Sequence, residues 1–141
     1  MVDVDVVECM ASSDNVVRAG LTPKYKDIQT LTTMLTYNSA PAEEQKMNPH
    51  KFRDCQYSTL YDPPIEEFSV VRTELNNAED QMEPIDGPSI LIVTSGSGIL
   101  STASSEFEVK SGSIWFIGAG EPISLKTKGV METHRAFVEL Y

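Results

Sequence analysis

From residue 68 onward, apolar and polar residues alternate in short bursts broken by turn residues. Phe68 to Thr73 alternates. Ser89 to Thr94 is almost wholly apolar, and Gly96-Ser97-Gly98 reads as a turn before Ile99 to Thr102. Phe107 and Val109 alternate with charges, and Lys110-Ser111-Gly112 turns again. Ile114 to Ile117 reads as a buried strand that Gly118-Ala119-Gly120 ends. Ile123 and Leu125 alternate, and Arg135 to Leu140 closes the chain. Alternation puts every second side chain on one face of a strand. Many short strands at roughly 8–12-residue spacing predict an antiparallel β-sandwich or jelly roll. Trp115, Phe116 and Phe137 are expected in its core, because an aromatic in a strand-like run usually fills one.

The first sixty or so residues have a different texture. Val2, Val4 and Val6 alternate with Asp3 and Asp5, which predicts a half-exposed strand. Val7 to Lys24 has no clean period. Asp27 to Thr36 predicts a short helix: Ile28, Leu31 and Leu35 share one face with Met34 beside them, and Asp27 is placed to cap it. Asn38 to Tyr57 is a polar connector with a helical turn at Ala42–Met47, and Tyr61-Asp62-Pro63-Pro64 is a rigid turn. The expected organisation is a segment at 1–24 (strand plus loop), a helix and connector at 25–60, and a β-domain at 61–141.

Composition narrows the class. The chain has 141 residues, 40% of them apolar and 23% charged, which suits one globular domain. No apolar run reaches the roughly 18 residues of a membrane span, so no membrane partner is expected. Residues 1–7 hold two aspartates and no Lys or Arg, unlike a targeting peptide, so a cytoplasmic location is expected. A net charge of −10 repels phosphate backbones and argues against nucleic acid. Cys9 and Cys55 are expected as reduced thiols. His50 and His134 form no metal-ligand motif and are expected at the surface or in packing.

The chemistry concentrates in Val7 to Lys24, with Glu8, Asp14, Arg18 and Lys24. Asp14 and Arg18 are close enough to pair. An arginine held by a carboxylate is rigid and always charged. The residues alone allow two readings: an ion pair that braces a loop, or an arginine that stabilises an oxyanion or grips a phosphate.

The run from Glu8 through Met10-Ala11, Ser13-Asp14-Asn15, Val17-Arg18-Ala19-Gly20 and Thr22-Pro23-Lys24 resembles the C-terminal signature of the type I phosphomannose isomerase family. Leu35-Thr36-Tyr37, Tyr61-Asp62-Pro63-Pro64, Gly87-Pro88-Ser89-Ile90 and Arg135-Ala136-Phe137-Val138-Glu139 extend the resemblance along the chain. It implies a mainly β, cupin-type jelly roll with one or two short helices. It implies zinc-dependent interconversion of mannose 6-phosphate and fructose 6-phosphate through a cis-enediol, feeding GDP-mannose synthesis. By the resemblance, Arg18 is an active-site residue whose charge suits the enediolate, Asp14 orients it, and Glu8 lines the same cavity. Lys24 supplies positive potential for the substrate phosphate.

The resemblance also implies four zinc ligands. Three belong to an N-terminal part absent from this sequence, and the fourth, a histidine, falls two positions before Met1. The expectation is therefore a fragment that binds no catalytic zinc and has no isomerase activity alone. Gly112 to Gly120 resembles the second cupin motif in glycine spacing, with Ile123 where that motif places a histidine. The barrel is accordingly expected to be degenerate. Two other readings stand beside this one: a non-catalytic cupin-like binding module, and a regulatory or structural isoform that associates with the full enzyme. Val2 to Val7, without its partner strands, is expected to form an apolar edge through which copies self-associate.

Overall fold

A single thirteen-residue strand, Ser89–Ser101, organises the β-structure by serving two sheets. The computed structural model describes residues 5–12 and 16–139. Two compact units are present, one formed by Met1–Cys9 with Met47–Tyr141, the other by Met10–Lys46.

The first unit is a mainly β, antiparallel jelly roll. Its strands are β1 (His50–Lys51), β2 (Ser58–Tyr61), β3 (Ser69–Asn76), β4 (Glu79–Met82), β5 (Ser89–Ser101), β6 (Glu106–Lys110), β7 (Ile114–Ile117), β8 (Ile123–Lys126) and β9 (Val130–Phe137). One sheet runs β1-β2-β3-β9-β5-β7 and the other β4-β8-β5-β6. The first half of β5 pairs with β9 and β7, the second half with β6 and β8.

The change of sheet happens at Gly96-Ser97-Gly98. Gly96 has φ +75°, and the β5–β9 register slips between Val93 and Ser95. The expected turn is instead a bulge and bend inside one continuous strand, because glycine lets a strand curl without breaking its ladder. A Cβ on Gly96 would sit 1.8 Å from the Val130 carbonyl oxygen.

Alternation then sorts the side chains. Val71 and Leu75 of β3, Leu91 and Val93 of β5, Leu125 of β8 and Met131 of β9 point inward and are buried. Phe52 and Phe137 meet edge-on at 5.9 Å. Ile123, where the cupin motif would place a histidine, is a core residue. Burying each such aliphatic side chain contributes about 1.5–3 kcal/mol.

The interior also holds polar groups. Ser58 Oγ hydrogen-bonds Thr73 Oγ1 at 2.8 Å and donates to Asp80 Oδ2 at 2.9 Å. Arg135 is buried, donating through Nε to Ser89 Oγ at 2.9 Å while its Nη2 has no hydrogen-bond partner among the described residues. Burial, with Arg53 nearby, pushes the Arg135 pKa down to about 10.

Several expectations are corrected. Ile114 and Phe116 lie on the outward face of β7 and are 67% and 74% exposed. Trp115 packs against the core, with its ring 4.8 Å from that of Phe107, and Phe137 is buried. An apolar run on an edge strand still has one face without a covering layer, so Phe116 is not a core residue. β2 lies where the expected helix-and-connector segment meets the Tyr61-Asp62-Pro63-Pro64 turn, and β4 lies in the expected β-domain where no strand was assigned. β4 shows no apolar alternation because its inward Asp80 is satisfied by Ser58. β9 starts at Val130 rather than Arg135. Of the expected strand Val2 to Val7, residues 2–4 lie outside the described residues. Asp5 to Val7 belong to no strand, and no strand among the described residues pairs with them. Leu140 also lies outside the described residues.

The second unit contains α1 (Ile28–Met34) and α2 (Ala42–Gln45). Asp27 caps α1 as expected, its carboxylate accepting from Thr30 N at 3.0 Å and Thr30 Oγ1 at 2.8 Å. The apolar face is in register but not covered: Ile28, Met34 and Leu35 are exposed and Leu31 is half-buried. No helix among the described residues is long and apolar enough to cross a membrane.

Gly96→Ala is expected to lower folding stability by roughly 3 kcal/mol, because the added Cβ meets backbone in a left-handed conformation. Gly112→Ala has a similar φ, +87°, but open space, and should cost only about 1 kcal/mol. Urea midpoints of the two variants measure the difference.

Candidate functional site

The signature residues fall in both units. Glu8 is exposed in the irregular stretch of the first unit, whereas Arg18 (half-buried) and Lys24 (exposed) belong to the second. Asp14 lies outside the described residues. Arg18 and Lys24 therefore belong to one unit and Glu8 to the other. Around Lys24 the backbone is locally fixed. Gly20 adopts φ +76°, Thr22 Oγ1 accepts from Lys24 N–H at 3.2 Å, and Lys26 Nζ donates to the Gly20 carbonyl at 3.3 Å. This is a loop tied by its own polar groups, the construction by which a short segment can hold cationic side chains toward solvent.

A second constellation was not anticipated from the sequence. The outward positions of β3 and β9 carry Arg72, Glu132 and His134, with Arg72 directly opposite His134. They line a cavity of about 450 Å³ within the first unit, together with Tyr61, Phe68 and Val70 and residues of the 5–9 stretch. Arg72 donates to Glu132 Oε2 through Nε at 3.3 Å and Nη2 at 2.7 Å, and to Glu74 Oε1 at 2.8 Å. Thr94 Oγ1 donates to Glu132 Oε1 at 2.9 Å and lies 3.3 Å from His134 Nδ1.

These contacts set the charges. The Arg72 hydrogen bonds lower the Glu132 pKa, and the same contact raises that of Arg72. Burial lowers the His134 pKa, only partly opposed by Glu132. His134 is thus neutral at pH 7, and a neutral imidazole in a polar pocket can accept a proton or a hydrogen bond. His50, by contrast, is exposed on β1. No sequence motif could have announced the cluster, since its members come from separated strands. The only signal was polar residues at alternate positions of two strands.

Residues 58–105 match the family model described as phosphomannose isomerase type I C-terminal. The mannose-6-phosphate isomerase of Emericella nidulans is 46% identical over 96% of this chain, a stretch that is 34% of the relative. The chain belongs to the type I phosphomannose isomerase family. Mannose 6-phosphate isomerase from Salmonella typhimurium, solved with fructose 6-phosphate and zinc bound, superposes with a TM-score of 0.76 at 31% identity, over 93% of this chain and 32% of that one. Two further structures of the Salmonella phosphomannose isomerase, with TM-scores of 0.77 and 0.75, carry alanine for an arginine and for a glutamate ten positions apart. The chain spans about a third of the length of the isomerases it matches.

Zinc is bound by that solved neighbour. Among the described residues here, no group of three or more His, Cys, Asp or Glu side chains converges to hold a metal ion. A catalytic zinc takes three protein ligands, so the described residues do not fit a zinc centre.

Folding lowers the Glu132 pKa, so the Arg72–Glu132 pair stabilises the fold above the unfolded carboxyl pKa. That stability is lost as the pH falls through the lowered folded value. Glu132→Gln should therefore cost about 1 kcal/mol at pH 7, and the cost should vanish as the pH falls through the lowered folded value and the wild-type carboxyl becomes protonated in both states. Thermal melts across that pH range check it.

Proposed function

We propose that this chain is the C-terminal part of a mannose-6-phosphate isomerase and contributes Arg18, Asp14, Glu8 and Lys24 to the active site of the complete enzyme. The supporting observation is the agreement of sequence and fold along nearly the whole chain with an isomerase that holds its sugar phosphate and zinc. Glu8 and Arg18 are ten positions apart, the separation of the glutamate and arginine replaced in the bacterial structures.

In this reading the reaction moves a proton between the two carbons of an aldose and a ketose. Charge develops on the sugar oxygens as the enediolate forms. The Arg18 guanidinium stabilises that charge by donating hydrogen bonds, since an arginine side chain carries a delocalised, permanent positive charge. Asp14, four residues earlier, fixes its orientation. Glu8 lines the cavity, and Lys24, exposed on the tied loop, adds positive potential for the phosphate. Zinc supplies Lewis-acid polarisation when bound. Its ligands belong to the remainder of the enzyme, and this chain alone neither binds catalytic zinc nor turns over substrate.

The test is Arg18→Ala in an enzyme carrying this sequence as its C-terminal part. A fall in kcat of about 10²–10³-fold with an unchanged melting temperature is expected. Lys24→Ala should instead raise KM with little change in kcat. If Arg18→Ala lowers the melting temperature and leaves kcat intact, Arg18 braces a loop and the module is non-catalytic.

A further inference from the structure

We propose that the cavity beside His134 is a binding site for a small neutral polyol, an unphosphorylated monosaccharide being the class that fits. The argument is geometric and does not rest on the isomerase reading.

The Thr94 hydroxyl has one proton, and the Glu132 carboxylate takes it at 2.9 Å. Toward His134 Nδ1 the same oxygen can only accept, so Nδ1 carries the ring proton. Nε2 is then a bare acceptor on a ring that lines the cavity. Directly across the strand pair stands Arg72. Its Nε and Nη2 are committed to Glu132 and Glu74, and its Nη1 has no acceptor among the described residues.

A donor and an acceptor on opposed residues of neighbouring strands stand about 5 Å apart at their Cβ atoms. Adjacent hydroxyls meet both demands, since one donates to Nε2 while its neighbour accepts from Nη1. Tyr61 and Phe68 offer apolar faces to the C–H side of such a ligand. The volume, about 450 Å³, lies within the range of small-molecule sites.

The charge of the site selects against anions. Arg72 is shared by two carboxylates, and Asp5 adds a further negative group at the rim, so no cation is left uncompensated for a phosphate. The ligand is therefore distinct in charge from the sugar phosphate of the proposed reaction.

Titration of the chain with D-mannose and D-fructose, followed by calorimetry and the His134 imidazole resonances, tests the site, with inorganic phosphate as the anionic control. Saturable binding by at least one sugar and none by phosphate is expected. His134→Phe should weaken it about tenfold, the loss of one hydrogen bond. Met47→Trp fills the cavity from its exposed wall, leaves the polar network intact and should abolish binding. Affinity should fall once the pH drops through the lowered imidazole range of His134, where Nε2 becomes a donor. The other titratable or charged groups that face the ring are Glu132, Arg72, Glu74, Asp5, Cys9 and Tyr61. No saturation by about 50 mM sugar overturns the proposal, as does equal binding of phosphate or affinity unchanged in both variants.

Discussion

The close approach of Gly96 to the Val130 carbonyl is the constraint on which the jelly roll depends. β5 must leave one sheet and enter the other without ending. It does so where a hydrogen atom is the only side chain that fits between two backbones. Everything downstream follows from that bend. β9 stays beside the first half of β5 and β8 beside the second, so the two sheets face each other across a shared core. The strands that carry Arg72 and His134 are neighbours because β3 and β9 pair over eight residues without a slip.

The same rule of alternation made some of the fold legible and hid the rest. The strands at Ser69–Asn76, Glu106–Lys110 and Ile123–Lys126 show up because their inward residues are apolar and their outward ones polar. β4 was invisible because one of its two inward residues is a carboxylate, tolerated only through the Ser58 hydroxyl. β7 misled because four apolar residues in a row suggest two covered faces, and the outer one is bare. The Gly-Ser-Gly element misled because glycine serves turns and bulges alike, and only the partner strand tells them apart. The helix at Ile28–Met34 was legible from the spacing of Ile28, Leu31 and Leu35 and from Asp27 as its cap, signals local in sequence.

Sites divide in the same way. The signature from Glu8 to Lys24 is contiguous, so the family could be read from it without any structure. The polar cluster at Arg72, Thr94, Glu132 and His134 is assembled from three strands and leaves no contiguous trace. Its carboxylate is shared by an arginine and a threonine, and that threonine hydroxyl also meets the imidazole two residues along the strand. In the interior, Arg135 shows the opposite economy. A guanidinium with one good hydrogen bond and an orphaned nitrogen is retained amid aliphatic neighbours, where an apolar residue of similar size would often be as stable.

The bare outer face of β7 has a consequence for how the molecules behave together. Among the described residues β7 pairs only with β5, and Ile114, Phe116 and the neighbouring Ile90 form an exposed apolar rim on that edge. What holds copies apart is the collective charge of −10. That repulsion reaches about 30 Å in 0.01 M electrolyte but only about 8 Å at physiological ionic strength. Dilute buffer therefore keeps the rims separated, and added salt lets them touch. The counterion atmosphere, not the core, thus sets how closely two such rims approach.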